Sequence, residues 1–457
     1  MKWSKSWQHI GVVATVVVGT CLVGSPEHPM AAAVQPVPAV VGHVNAHALP
    51  FPPTTLDCQT MFGISCYRPA QLRAAYDMSP LYTAGLDGTG RTIVIIDAFG
   101  SPTINADLTT FDQTFGIRDA PSLKTIAPVG AIPAFDPNNA DMVGWAEETT
   151  LDVEWSHVMA PGANILVVAT PVAETEGITG FPEIVAAENY VIDHHLGDVI
   201  TQSFGATENT FANPKSDIAG LRSAFKNANR HDVTVLASSG DNGSTDALVD
   251  GSCCYTTPVN SWPSSDPLVT SVGGTQLHLD ASGKRTAPDQ VWNDGYGAGG
   301  GGLSQVFDRP DFQNGVKRVV GSARGTPDVS MSAAVDGGVV VYYSFLGTDS
   351  PWHIFGGTSE ASPLFAGVVA IADQAAGQRL GNLNEALYKL RDRRNSGLVD
   401  ITIGDNSLTF CTSNCGALNE VDVTVPGYPA RKGYDLSSGL GTIDAAVFVG
   451  ALARHDN

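Results

Sequence analysis

The chain has 457 residues, enough for two or three average domains or for one large α/β domain. Hydrophobic residues make up 43% and charged residues 16%, which argues against a disordered chain, and the many Gly (49) and Pro (28) residues are typical of a loop-rich globular protein. The formal charge of -21 argues against a nucleic-acid-binding surface and is compatible with acid, where carboxylates lose their charge.

The N-terminus reads as a secretory signal. A basic start precedes an almost wholly apolar run over 10–23, and small residues follow. We therefore predict a signal peptide over 1–33, a secreted (extracellular) protein and no stable membrane insertion after cleavage. An uncleaved anchor and cleavage after Ala48 are the alternatives. Residues 34–67 are proline-rich at first, and we predict a short leader or pro-segment there; whether it is processed or blocks a cleft stays open.

Six cysteines remain after the predicted signal peptide, and an even number in an oxidising compartment favours disulfides. Spacing indicates two local pairs, Cys58 with Cys66 and Cys411 with Cys415. Cys253 and Cys254 are adjacent, so they form either a vicinal bridge or two bonds elsewhere. The cysteines and histidines lack the spacing of a zinc site.

β-Branched or apolar runs alternate with helical stretches along the folded body, which we expect to begin near Arg68. Strands are predicted at 92–97, 164–168, 198–201 and 233–237. Helices are predicted near 105–115, 142–158, 180–195 and 215–230. Buried strands separated by helices predict an α/β fold with a mostly parallel central sheet and helices on both faces. Functional residues are then expected at the carboxyl ends of the strands.

One stretch sets a hydroxyl between a glycine-rich turn and an apolar run of buried-helix type. Gly356 and Gly357 precede Thr358 and Ser359, and residues 364–372 are wholly apolar. Free backbone N–H groups and the helix dipole at such a start favour a developing oxyanion. Ser359 is therefore a candidate nucleophile, with an ordinary helix N-cap as the alternative.

Two carboxylates share one face of the helix predicted near 142–158. Glu148 and Asp152 are four residues apart, a spacing at which like charges mildly destabilise a helix. The ordinary explanation for such a pair is an acidic helix face that water solvates. The functional explanation is that Glu148 accepts the proton of a serine hydroxyl, while Asp152 orients Glu148 and raises its affinity for that proton.

A third carboxylate, Asp241, follows the strand predicted at 233–237, among small residues that leave room for a substrate. An Asp between glycines commonly caps a turn. A buried, protonated carboxyl can instead donate its O–H to an oxyanion.

These stretches resemble the sedolisin, or serine-carboxyl peptidase, family, whose catalytic domain has a subtilisin-like fold. The resemblance covers roughly residues 70–450. It rests on an ordered set of motifs: Glu148-Thr149-Thr150-Leu151-Asp152, Ala160-Pro161-Gly162-Ala163, Ser239-Gly240-Asp241, Val272-Gly273-Gly274-Thr275, Gly300-Gly301-Gly302-Leu303-Ser304, Pro327-Asp328-Val329-Ser330, and Gly357-Thr358-Ser359 with Pro363.

The resemblance implies a role for each candidate. Ser359 is the nucleophile, Glu148 the general base and acid, Asp152 its orienting partner and Asp241 the oxyanion donor. Asp97 has a supporting role at the end of the first predicted strand. The substrate cleft is expected beside Ser203, Phe204 and Gly205. Where relatives often have Trp, this chain has Phe204, so an indole N–H is absent and the outer hydrogen-bond network is expected to be shorter.

A calcium site is implied near the C-terminus, because the sequence there resembles the family's site and calcium accepts carboxylates and carbonyls in flexible geometry. The ligands carried over are the side chains of Asp400 and Asp435 and the carbonyls of Ile401, Arg431 and Gly433. Arg431 stands where relatives usually have Gly. A pair of Asp turns is the alternative.

The domain hypothesis is thus one peptidase domain over 68–457, including a calcium-binding region at about 397–442. We expect a monomeric, acid-active endopeptidase that cleaves protein or peptide substrates through a Ser acyl-enzyme and does not bind nucleic acid. Tripeptidyl-peptidase action stays open. The alternatives are a subtilisin-type protease, for which the required His-Gly-Thr-His context is missing and His157 is the nearest substitute, and an inactive binding protein on the same fold.

Overall fold

The computed structural model describes residues 48–413, 415 and 421–454. The predicted signal peptide and the first part of the predicted leader lie outside this range. The strands of the described part are β1 Ala48–Leu49, β2 Cys66–Tyr67, β3 Thr92–Ala98, β4 Leu123–Ile126, β5 Asn164–Thr170, β6 Val199–Gln202, β7 Ala206–Thr207, β8 Thr234–Ser238, β9 Ser261–Trp262, β10 Thr270–Gln276, β11 Gln290–Val291, β12 Gly302–Asp308, β13 Ala323–Thr326, β14 Val329–Ser332, β15 Gly338–Tyr342, β16 Trp352–Phe355, β17 Leu398–Val399, β18 Leu408–Ser413, β19 Val421–Val425 and β20 Thr442–Ile443.

The helices of the described residues surround these strands. They are α1 Thr55–Phe62, α2 Pro69–Ala75, α3 Ser79–Thr83, α4 Ile104–Phe115, α5 Ala140–Met159, α6 Phe181–Asp193, α7 Pro214–Leu221, α8 Ser223–Arg230, α9 Lys317–Val320, α10 Thr358–Ala376, α11 Asn384–Leu390 and α12 Ala445–Ala453, with 3-10 turns at Glu208–Thr210 and Asp311–Val316. Within this part of the chain, no helix combines the length and apolar character needed to cross a membrane.

The central sheet has the strand order β11-β10-β8-β6-β3-β5-β4, with β14 also paired to β10. All of its pairs are parallel except β10 with β11. This arrangement confirms the predicted α/β fold with a mostly parallel sheet.

Both faces of the sheet are buried because its strands are apolar on both sides. In β3, Ile93 and Ile95 pack into one hydrophobic cluster with residues of α5 and α10. Val94 and Ile96 alternate with them and pack into a second cluster with residues of α6 and α8. The helices therefore lie on both faces, as predicted.

The predicted helix at 215–230 is two helices. One ends at Leu221 and the next begins at Ser223, with Arg222 between them. The Arg222 guanidinium forms a bidentate ion pair with the buried Asp266, at 2.6 and 2.8 Å. This tertiary contact, together with the low helix propensity of Gly220 in the last turn of α7, accounts for the break.

Residues 48–67 carry ordered structure that joins the main body of the fold. Strand β1 pairs with β16, and β2 pairs with β15. The Arg68 side chain donates to the carbonyls of Pro52 and Pro53. The expected start of the folded body near Arg68 is therefore too late, because the described fold already includes Ala48.

The described residues form three disulfides. The pairs Cys58–Cys66 and Cys411–Cys415 confirm the two local predictions. Cys253 and Cys254 are bonded to each other, which decides between the two alternatives left open for them.

Candidate active site

The sheet and its helices deliver the candidate nucleophile to the start of α10. Strand β16 leads into Gly356, where a Cβ atom would lie 2.7 Å from the Ala333 carbonyl oxygen. Gly357 follows with φ of 120°, a conformation that favours glycine. Ser359 is then the second residue of α10. It is buried, and its Oγ has no hydrogen-bond partner among the described residues.

Helix α5 carries both carboxylates of the predicted pair and packs directly on α10. Gly367 of α10 makes the close approach possible, since a Cβ atom there would lie 2.9 Å from the Ser156 carbonyl oxygen. Glu148 and Asp152 are fully buried. The solvated acidic face, which was the ordinary alternative, is therefore absent at these two positions.

Asp152 is held from the neighbouring strand. Its Oδ1 accepts a hydrogen bond from the Ser203 hydroxyl at 2.9 Å, just beyond the end of β6. Burial raises the pKa of Asp152 well above its ordinary value, and the negative charges on Asp97 and Glu148 raise it further. Asp152 therefore holds a proton more tightly than an exposed carboxyl does.

Asp97 lies at the end of β3, beside the carboxylates of α5. It is fully buried, and burial raises the pKa of Asp97 well above its ordinary value, with the charge on Glu148 adding to the rise. The structure thus brings Asp97 together with Glu148 and Asp152 at the carboxyl edge of the sheet.

Asp241 follows β8 and caps the helix of the nucleophile. Its Oδ1 accepts hydrogen bonds from the backbone N–H and the hydroxyl of Thr358, both at 2.7 Å. Its Oδ2 is buried and has no hydrogen-bond partner among the described residues. Burial raises the pKa of Asp241 to about 7 against the two Thr358 hydrogen bonds, and charges on Glu148 and Asp246 add to the rise.

The arrangement provides the parts for acyl transfer without a histidine. A hydroxyl lies at a helix start, carboxyls that can exchange a proton lie on the adjacent helix, and a carboxyl that is neutral in acid lies against the first turn. Asp241 and Glu148 interact electrostatically, since the charge on Glu148 affects the pKa of Asp241.

Comparisons with known proteins agree with this geometry. A model described as "Subtilase family" matches residues 129–389. Kumamolisin from Bacillus sp. (strain MN-32) is 32% identical over 388 residues, which cover 83% of this chain and 62% of that protein. Tripeptidyl-peptidase sed5 from Aspergillus fumigatus is 27% identical over 413 residues, which cover 82% of this chain and 64% of that protein. The chain belongs to the subtilase family.

Among subtilases it belongs to the sedolisin family, which confirms the resemblance of its motifs. The solved structure "Pseudomonas sedolisin (serine-carboxyl proteinase) complexed with two molecules of pseudo-iodotyrostatin" has the same fold. Its TM-score is 0.67 at 24% sequence identity, and the match covers 86% of this chain and 100% of that chain. The chain spans about three fifths of the length of the first curated relatives it matches.

The side chains of the predicted cleft residues Ser203 and Phe204 point away from solvent and have different partners. The Ser203 hydroxyl is occupied by Asp152. The Phe204 ring is fully buried, with centroids 6.2 Å from the ring of Trp145 and 6.3 Å from that of Phe181. Its side chain is thus part of the hydrophobic core, and only its backbone is left to border a cleft.

His157 lies in a different environment from the catalytic candidates. Its Nε2 is 2.9 Å from the Arg118 carbonyl oxygen and 3.3 Å from Asp112 Oδ2 on α4. The histidine of α5 therefore ties that helix to α4.

The predicted calcium ligands lie in two loops that are in contact. The Gly433 N–H donates to Asp400, and the Arg431 N–H donates to Asp435 at 2.8 Å. Burial and the charge on Asp435 raise the pKa of Asp400. In the part of the chain described here, no group of three or more His, Cys, Asp or Glu residues could hold a metal. An ion would therefore need the predicted carbonyls of Ile401, Arg431 and Gly433 as well. The Asp435 Oδ1 also accepts hydrogen bonds from Ser437 and Ser438, as an Asp in a turn does.

Two supporting contacts went unpredicted. One is the double hydrogen bond of Thr358 to Asp241, and the other is the Ser203 hydroxyl on Asp152. The sequence held a signal for the first, because a hydroxyl residue directly precedes Ser359. For the contact of Ser203 with Asp152, the only signal in the sequence was the location of Ser203 at a strand end.

Proposed function

We propose that this subtilase is a secreted serine-carboxyl peptidase that hydrolyses peptide bonds through an acyl-enzyme on Ser359 and is most active in acid. The observation that carries the proposal is the Asp241 carboxyl. One oxygen is fixed by Thr358 at the helix start, and the other is buried without a described partner. A neutral carboxyl in this position can donate a hydrogen bond next to Ser359.

In the acylation step, Glu148 accepts the proton of the Ser359 hydroxyl while Oγ attacks the peptide carbonyl carbon. The carbonyl oxygen becomes an oxyanion that accepts a hydrogen bond from the neutral Asp241. The proton then passes from Glu148 to the leaving amine, and the C–N bond breaks. Asp152 supports this step because its raised pKa and the Ser203 hydrogen bond let it share and orient the proton.

Deacylation repeats these roles with water as the nucleophile. Glu148 takes a proton from the water, and the hydroxyl oxygen attacks the acyl carbon. The C–O bond to Ser359 breaks, and the proton returns to Oγ. The cycle leaves both carboxyls in their starting state and releases a carboxylic acid and an amine.

Acid preference follows from the same groups. The pKa of Asp241 is about 7, so the hydrogen-bond donor is present below that pH and is lost above it. An ionised Asp241 would repel the oxyanion at contact distance. Glu148 imposes the opposite requirement, because it must be able to accept a proton, and a bell-shaped profile below neutrality results.

Calcium is proposed as a structural ion between the loops of Asp400 and Asp435. It would supply positive charge beside the carboxylate of Asp400, whose pKa is raised by burial and also by the charge on Asp435. Its role would be to fix the loops around β17 and β20, away from any proton transfer.

Secretion is supported by the apolar N-terminal run and by three disulfides, which persist in oxidising compartments. Proteins and peptides are the proposed substrates. We propose endopeptidase activity, which is cleavage inside a peptide chain. The competing proposal is tripeptidyl-peptidase activity, which removes tripeptides from an N-terminus.

The test is mass spectrometry of fragments released from a peptide library across a pH series. Wild type should release fragments in acid, and Ser359→Ala should release none while keeping its thermal unfolding, since only one oxygen is removed. Glu148→Gln and Asp152→Asn should each lose roughly 10²- to 10⁴-fold in rate.

His157→Ala is the matched control on the same helix, and it should retain turnover once folding is verified. Turnover by Ser359→Ala at the wild-type rate would refute the nucleophile assignment. Loss in His157→Ala with an active Glu148→Gln would favour a histidine-based triad.

A further inference from the structure

The loop between β5 and α6, residues 171–180, lies beside the catalytic carboxylates. Strand β5 pairs with β3 up to Thr170, opposite Ala98, so the loop begins at the carboxyl edge of the sheet next to Asp97. Ligands of open α/β sheets bind in the crevice at this edge. The loop is tightly turned, since a Cβ atom at Gly180 would lie 2.3 Å from the Ala173 carbonyl oxygen.

Glu174 in this loop is fully buried, and no other described residue donates a hydrogen bond to either of its carboxyl oxygens. Burial raises the pKa of Glu174 well above its ordinary value. The charges on Asp97, Glu148 and Glu176 add to the rise, so the Glu174 carboxyl lies within electrostatic range of the catalytic carboxylates and of the next carboxylate of the loop. A buried carboxyl without a partner is costly and calls for an explanation.

Glu176 connects the loop to the cleft stretch. Its Oε2 accepts hydrogen bonds at 2.9 Å from the Thr207 N–H and from the Thr210 hydroxyl, and Thr207 is two residues beyond Gly205. Glu176 is 8% exposed and Glu174 is fully buried, so Glu176 is the one of the two that lies nearer to solvent. Burial raises the pKa of Glu176 to about 8, and the charge on Asp246 contributes.

The charges that act on these two carboxyls come from carboxylates on four elements: the end of β3, α5, the loop itself and the segment after β8. Two other buried carboxylates of the described chain have basic partners, Asp328 with Arg324 and Asp266 with Arg222. A positive group supplied by a ligand would complete the site in the same way.

We propose that Glu174 and Glu176 form a cation subsite of the peptide cleft, which binds an ammonium or guanidinium group of the substrate close to the scissile bond. The inference rests on the proposed peptidase function and specifies its substrate class. The positive group has two sources, a lysine or arginine side chain or the α-ammonium of the substrate's N-terminus. The second source would make the enzyme an exopeptidase.

Binding of the cation is coupled to the loss of a proton. The neutral carboxyl of Glu176 loses its proton to solvent, and the carboxylate pairs with the cation while Thr207 and Thr210 continue to donate to it. Preference for a cationic substrate should therefore grow as pH rises from about 5 towards 8, in the direction opposite to the catalytic limb of Asp241. Hydrogen bonds to charged groups predict a preference of roughly 10- to 100-fold.

The experiment compares paired peptides that differ only in charge, with cleavage sites assigned by mass spectrometry. One arm replaces lysine by norleucine, its uncharged analogue, at each position within four residues of the cleaved bond. The other arm compares free with acetylated N-termini. The measured quantity is the kcat/KM of the charged peptide divided by that of its uncharged partner, at each pH. The pH dependence of catalysis is common to both peptides, so it cancels in this ratio.

The subsite predicts a ratio of about 10 or more at one position or at the N-terminus, rising with pH. Glu176→Gln should lower this ratio towards 1, because its amide keeps an acceptor for Thr207 but cannot ionise; Glu174→Gln should lower it as well. Asp373→Asn is the matched control, since Asp373 is another buried carboxyl, with a pKa of about 8, beside Asp198. Its ratio should equal that of wild type.

A ratio near 1 in every pair, with peptides hydrolysed, would overturn the subsite alone. An unchanged ratio in both glutamine variants would also overturn it. If no peptide is hydrolysed, the proposed function fails and the subsite fails with it. A large ratio in the N-terminal arm alone assigns the cation to the α-ammonium, and one in the lysine arm alone assigns it to a side chain.

Discussion

Replacing Asp241 by Asn separates the charge of this group from its hydrogen bonds. The Asn Oδ1 can accept the same two bonds from Thr358, which are 2.7 Å long in the structure. The Asn Nδ2 then lies where Asp241 carries its unpartnered Oδ2, and it donates a hydrogen bond at any pH. The variant thus keeps the helix cap and the donor but loses the titration.

The expected magnitude follows from the pKa of Asp241, which is about 7. About half of the wild-type molecules hold the proton at pH 7 and only about 1% hold it at pH 9, so wild-type activity should fall about 50-fold between these pH values. In acid the variant should be slower than wild type, because an amide is a weaker donor than a carboxylic acid. The loss should stay within the roughly 10²- to 10³-fold cost of removing an oxyanion donor altogether.

The assay is kcat/KM on one uncharged peptide from about pH 3 to pH 9 for wild type, Asp241→Asn and the distant control Asp373→Asn. Thermal unfolding at each pH verifies that the proteins remain folded. We expect the alkaline limb of Asp241→Asn to move upward while its acid limb changes little. If the variant keeps the wild-type alkaline limb, Asp241 is not the titrating group, and the limb belongs to the Glu148–Asp152 pair or to loss of the fold.

Two further predictions concern stability. Burial raises the pKa of Glu188 to about 8 from an ordinary 4.5. The folded protein therefore loses stability as the pH rises from about 4.5 towards 8, because the unfolded chain releases this proton more easily. Glu188→Gln should add about 3 kcal/mol to the free energy of unfolding at pH 7 but nothing near pH 4. Urea unfolding at both pH values checks this, and a pH-independent difference would contradict it. Excess chelator should lower the Tm of wild type but not that of Asp400→Ala. An ion that binds only the folded state stabilises the folded state, and the variant lacks one of the proposed ligands. An unchanged wild-type Tm, with no metal in elemental analysis, would exclude the calcium site.

Local patterns determined the elements and the chemistry of the main candidates. The apolar run of Ile93 to Ile96 predicts a strand buried on both faces, and the four-residue spacing of Glu148 and Asp152 predicts one shared helix face. Both features depend only on the periodicity of neighbouring residues, so they can be read without a fold. The ordered motifs likewise pointed to the sedolisin family, which the comparisons confirm.

The tertiary structure decided what depends on burial and on contacts between distant parts of the chain. The Asp241 carboxyl meets Thr358 across 117 residues of sequence, and its pKa of about 7 results mainly from burial. Phe204 lies in the hydrophobic core although its neighbours suggested a cleft. The sequence pattern does not indicate that Glu174 is buried, because a single Glu in a loop is ordinarily solvated. Only the packed fold buries it beside other carboxylates, with no donor from another described residue. Desolvation and charge repulsion depend on spatial neighbours that sequence periodicity does not specify.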